Sequence, residues 1–125
     1  KNDWRLKMAA PNIVSVGTIT GNTAVLVITT SATAIVTNAG SSGKVLKVNS
    51  LYISNVDGTN SATVNVDLFR SSTAYHIAKT VTVAADSTLD LLSNSIYLIE
   101  GDTLRLTASA NSDLEGVCSY EDISE

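Results

Sequence analysis

The sequence predicts an all-β fold, an antiparallel β-sandwich of the jelly-roll or immunoglobulin-like kind with about 8–10 strands. Three observations predict it. First, apolar and polar residues alternate with period two. Val64, Val66 and Leu68 share one face of a strand while Asn65 and Asp67 share the other. Leu104, Leu106 and Ala108 likewise oppose Thr103, Arg105 and Thr107. A sheet with one face in a core and one in water needs this alternation. Second, Gly, Asn, Asp and Ser clusters punctuate the chain about every ten residues, the spacing of short antiparallel strands. Third, no stretch carries the 3.6-residue apolar period of a helix.

Residues 1–12 read as an N-terminal arm or extension, and 13–125 as a single sandwich domain. The arm holds the only Trp and Met of the chain, Trp4 and Met8. Pro11 ends any helical tendency there. Residues 13–20 form the first expected strand, closed by a turn at Gly21-Asn22; 23–30 and 32–38 follow as strands. The run Ala39-Gly-Ser-Ser-Gly43 is a flexible connection. A long strand over 44–56 meets Asp57-Gly58-Thr59-Asn60, a hairpin signal, so 62–70 is expected to pair back on it. Ser71-Ser72 turns into a strand over 74–83, and 84–87 form the next turn. Short strands over 89–92 and 95–99 precede a tight turn at Glu100-Gly101-Asp102, where Gly101 supplies a positive φ. Residues 103–110 and 114–123 close the chain as a last hairpin.

Composition fixes what the core is made of. The 125 residues are 44% hydrophobic but only 5% aromatic, so Val, Ile, Leu and Ala must fill the interior. A chain of this length buries enough surface to fold as one domain without staples. Charged residues are 16% and the net charge is −4. Lys1, Arg5 and Lys7 sit in the first seven residues, and no basic residue follows Arg105. Such an acidic body excludes phosphate-backbone recognition of nucleic acid and docking on an anionic membrane. No apolar run reaches the ~20 residues of a membrane-spanning helix. The single cysteine, Cys118, cannot make an internal disulfide and reads as a buried, inert thiol.

Reactive side chains are scarce. His76 is the only histidine, with no nucleophile placed beside it, and reads as a structural strand residue. One His and one Cys are too few for zinc, and no Asp-x-Asp-x-Asp-Gly loop exists for calcium. Asp57, Asp86, Asp102 and Asp113 lie in turns, where the carboxylate bonds nearby backbone N–H groups. Glu100 and Asp102 flank a turn glycine and read as turn residues rather than an acid/base pair. No glycine loop cradles a phosphate. Tyr52, Tyr75, Tyr97 and Tyr120 are spread one per strand, unlike a sugar-stacking platform. The reading is therefore of a non-enzyme without metal or cofactor. Phe69 stands out as an aromatic on the polar face of its strand, which reads either as a contact with another subunit or as packing against a second layer.

Several phrases carry a family likeness: Val48-Asn-Ser-Leu-Tyr-Ile-Ser-Asn-Val-Asp-Gly58, Ala62-Thr-Val-Asn-Val-Asp-Leu68, Tyr75-His-Ile-Ala78, Tyr97-Leu-Ile-Glu-Gly-Asp-Thr-Leu-Arg105 and Ser119-Tyr-Glu-Asp-Ile123. Through them, residues 47–123 resemble small β-sandwich structural proteins of tailed bacteriophages, notably phages of marine bacteria and cyanobacteria. Where relatives often carry Pro before the turn at Ala85-Asp86, this chain has Ala84. The resemblance implies a virion component without saying which part of the particle. The expected function is a capsid decoration (cement) protein that binds the major capsid protein or other virion proteins. By analogy with symmetry matching, a homotrimer at three-fold positions is expected. A tail, neck or fibre-associated protein and a receptor- or glycan-binding adhesin module are the alternatives. The residues expected to touch partners are Trp4, Arg5 and Leu6 in the arm, Phe69 in mid-chain, and Glu121 and Asp122 near the acidic end.

Overall fold

A computed structural model describes residues 17–125 of the chain. The expected arm, with Trp4, Arg5 and Leu6, lies outside the described residues. Period-two alternation sorts the side chains into an inner and an outer set. Among the described residues nine strands result: β1 (Thr18–Val27), β2 (Thr33–Thr37), β3 (Lys44–Asn55), β4 (Ala62–Arg70), β5 (Thr73–Val83), β6 (Thr88–Asp90), β7 (Ile96–Leu98), β8 (Thr103–Ala108) and β9 (Leu114–Ser124). They form two antiparallel sheets, one ordered β1-β9-β3-β6 with β7 also on β3, the other β2-β8-β4-β5. Leu51 and Ile53 of the first sheet meet Val64, Val66, Leu104 and Leu106 of the second in an aliphatic core, all fully buried or nearly so. The all-β sandwich read from the sequence is therefore the fold.

The strand order decides between the two kinds of sandwich. An immunoglobulin-like domain pairs its first two strands with each other. Here β1 and β2 lie in opposite sheets, and β1 pairs with the last strand. With β6 and β7 taken as one interrupted strand beside β3, both orders are those of a jelly roll.

This order corrects three local readings. Gly21 and Asn22 make no turn; they continue β1 opposite Glu121 and Tyr120. Residues 57–60 do not close a hairpin, because β3 and β4 belong to different sheets. Nor do β8 and β9 form one, since β8 lies in the second sheet and β9 in the first. The physical reason is common to the last two. Turn residues specify a reversal of direction, whether the strands then pair by backbone or face each other by side chain. Burial of both apolar faces favours the second outcome here. The Ser71-Ser72 turn, with both residues at positive φ, does join paired strands, β4 and β5.

Two buried asparagines tie the crossing connections down. Asn55 Nδ2 donates to Asn60 O at 2.9 Å and Val83 O at 3.0 Å, while its Oδ1 accepts from Asp57 N at 2.9 Å. Asn38 Nδ2 donates to Lys44 O at 3.0 Å and Leu98 O at 2.9 Å. A buried carbonyl that loses its donor carries the whole desolvation cost. Asn55→Ala should therefore lower the unfolding free energy by about 2 kcal/mol, read from urea denaturation. Within the 57–60 turn, the N–H groups of Thr59 and Asn60 hold the Asp57 carboxyl below the ordinary carboxylate range.

Cys118 is buried in the first sheet, and burial pushes its thiol up to about 11. At neutral pH it is neither exposed nor ionised, so it should resist a chromogenic disulfide reagent in the folded protein. Full reaction on adding denaturant, and none before, is the expected result.

Candidate functional site

The outer faces of the two sheets differ in chemistry. On β1 the odd-numbered residues from Ile19 to Val27 point outward, because its register with β9 runs without a shift. Val25 lies opposite Val117, which in turn lies opposite Tyr52 on β3. All three are exposed, and Val25 is the most open at 73%. They make an apolar row across three strands. The neighbouring row is polar apart from Val27: Glu115, Ser54 and Thr88 follow it, with Ser54 and Thr88 hydroxyls 2.8 Å apart. Beside the row runs a shallow groove of about 310 Å³ lined by Val25, Leu26, Val27, Glu115, Gly116 and Val117.

The outer face of the second sheet is built on charge. Arg105 Nε donates to Asp67 Oδ1 at 2.9 Å, and its guanidinium carbon lies 3.9 Å above the Phe69 ring. β4 and β8 set Asp67 opposite Arg105 and Phe69 opposite Thr103. Phe69 is half-buried beneath the guanidinium, a cation–π arrangement that fixes both side chains. His76 is exposed on β5, opposite Asp67.

At one end of this sheet, Arg70 grips Asp102 through two parallel hydrogen bonds, Nε to Oδ1 at 2.7 Å and Nη2 to Oδ2 at 2.6 Å. Ile99 N donates to the same carboxylate at 2.9 Å. Asp102 is 1% exposed. Burial alone would raise its pKa, but the Arg70 and Ile99 donors outweigh burial and hold the carboxyl below the usual range. The depression around this pair is lined by Arg70, Ser71, Ile99, Glu100, Gly101 and Asp102. Its acids are engaged separately: Glu100 accepts from Gly43 N, whereas Asp102 takes Arg70. Gly101 has the positive φ that the turn requires.

The residues read from the sequence as partner contacts do not converge on one surface. Glu121 and Asp122 are half-buried neighbours on β9 with different partners: Glu121 accepts from Asn49 Nδ2 at 3.4 Å, and Asp122 pairs with Lys44 Nζ at 3.0 Å. Phe69 lies in the other sheet. The sequence reading missed the apolar row of the first sheet and both arginine–carboxylate pairs. Only strand register reveals the row, since its members are far apart in the chain. The tyrosines are spread over both sheets, Tyr52 and Tyr97 in the first and Tyr75 in the second, and Tyr120 packs against the core. Among the described residues, no three His, Cys, Asp or Glu side chains gather as a metal site would need.

No protein-family model and no curated protein matches the sequence. Among solved structures, a chain of Bacillus endospore appendages, described as a novel family of disulfide-linked pili, does match. The match covers 86% of this chain and 88% of that one at a TM-score of 0.50, with 18% of residues identical. At that identity the likeness is one of fold alone.

Proposed function

We propose that the chain is a non-enzymatic structural subunit of a tailed-bacteriophage particle, placed on the head as a decoration protein against the major capsid protein. The observation that supports this best is the outer face of the β1-β9-β3 sheet. It carries the exposed row of Val25, Val117 and Tyr52, exposes Ile19 and Val27 along β1 as well, and sets hydroxyls and a few charges between them. Surfaces of this kind suit many weak contacts multiplied by particle symmetry. The resemblance of residues 47–123 to phage sandwich proteins supplies the particle. The spread of the tyrosines weighs against a glycan-binding module, which stacks sugars on clustered aromatics. Disulfide linkage belongs to the pilus proteins; within these 125 residues the single thiol is buried.

Cryo-electron microscopy of intact particles, with quantitative mass spectrometry of the same preparation, tests the proposal. Density for this chain on the head, at a fixed ratio to the major capsid protein, is the expected result. Density confined to the tail, in few copies, overturns the capsid placement. Absence from the particles overturns the virion reading altogether.

A further inference from the structure

We infer that β1 is a homodimerisation edge, pairing antiparallel with β1 of a second copy across a two-fold axis. A sheet edge presents unpaired backbone donors and acceptors, and proteins that stay monomeric blunt such edges with charge, proline, bulges or brevity. Three of the four edge positions among the described strands are blunted. β6 and β7 have three residues each, are separated by an interruption, and carry Asp90. β2 has five residues and a register shift against β8. β5 is longer but has two register shifts against β4, an exposed Lys79 and a positive φ at Thr80.

β1 has none of these devices. It runs for ten residues, Thr-Ile-Thr-Gly-Asn-Thr-Ala-Val-Leu-Val, with no charged residue and no proline. Its ten partners on β9 follow in unbroken register, so the strand is regular along its whole length. Its outward side chains are exposed and apolar at both ends, Ile19 at 57% and Val25 at 73%.

The same features choose the occupant. In a chain of net charge −4, β1 is an uncharged stretch, so two copies meet there without like-charge opposition. The other edges of a second copy are the blunted ones, which leaves β1 as the matching surface. In antiparallel pairing, residues on the same face stand opposite each other. A two-fold axis through Thr23 sets Ile19 opposite the partner copy's Val27 and Gly21 opposite its Val25, all on the outer face. The two first sheets then become one continuous sheet, and the Val25–Val117–Tyr52 row of each copy runs toward the junction.

This inference puts a two-fold pair in place of the homotrimer expected by symmetry analogy, and it stands apart from the virion reading: a purified chain can dimerise and still be absent from phage particles. Sedimentation of the full chain over a concentration series tests it. A species of twice 13.1 kDa is expected, dissociating on dilution. Val25→Lys, a change at an open position, should raise the dissociation midpoint about tenfold or more while circular dichroism stays unchanged. Independently, Thr23→Cys should form an intermolecular disulfide under mild oxidation, because position 23 meets itself at the axis. A 13.1 kDa species at every concentration overturns the inference, as does a Val25→Lys protein that associates like the parent. Assemblies that grow beyond two copies overturn the two-fold arrangement.

Discussion

Leu106→Ala should lower the unfolding free energy by about 3–4 kcal/mol, the largest loss expected from a single truncation in this core. Leu106 is fully buried on β8 and projects across the sandwich toward the first sheet. Its Cδ1 approaches Gly116 on β9 so closely that a Cβ built there would stand 2.7 Å away. Gly116 is thus the hole into which Leu106 fits, which explains a glycine in mid-strand where it otherwise weakens the sheet. The converse substitution follows. Gly116→Val should cost about 2 kcal/mol through overpacking, although replacing glycine by itself stiffens the unfolded chain favourably. Combined, the two changes should compensate, with a coupling of about 1 kcal/mol or more in a double-mutant cycle. Strict additivity of the two losses in urea denaturation would refute the packing relationship.

Arg70→Met should cost about 2 kcal/mol at neutral pH, and its signature is the pH dependence. The substitution removes two of the three donors to a carboxylate that has almost no access to water. Because the Arg70 head is itself partly solvated, the loss falls below that of a fully buried pair. In the parent protein the native Asp102 pKa is depressed below its unfolded value. Its contribution is therefore fully present above about pH 4, the unfolded-state value, and is lost as pH falls through the lower native value. In Arg70→Met that depression is relieved, so the difference between the two proteins should shrink steadily below pH 4. Denaturant titrations at neutral pH and at about pH 3 measure both ends. A gap that stays constant with pH would mean that Arg70 acts by packing its stem rather than by its charge.

The sequence was informative where burial is local. β4 runs over Ala62–Arg70 as its alternation indicates, because inward Val64 and Val66 and outward Asn65 record their environment residue by residue. Long-range partnership was not legible in the same way. Asp57-Gly58 looks alike whether β3 and β4 pair or face each other, and only the buried Asn55 anchoring Asn60 and Val83 shows which occurs. Gly21-Asn22 looks like a break, yet pairing along all of β9 outweighs the local turn preference. Arg70 and Asp102 are separated by 32 positions, and nothing local announces their contact. The apolar row needs three strands in register before it exists at all. Fold class was therefore readable from single strands, whereas the surfaces that matter for assembly are properties of strand order.

β9 lies between β1 and β3 and supplies the ladder to both. During synthesis these two early strands have no direct bond to each other, and the piece that joins them is translated after the other described strands. The first sheet therefore cannot close while residues 114–124 are still inside the ribosome. Until then neither edge of β1 is paired with another described strand, so nascent chains are most prone to mispairing before β9 emerges. Docking of β9 between β1 and β3 ends that interval.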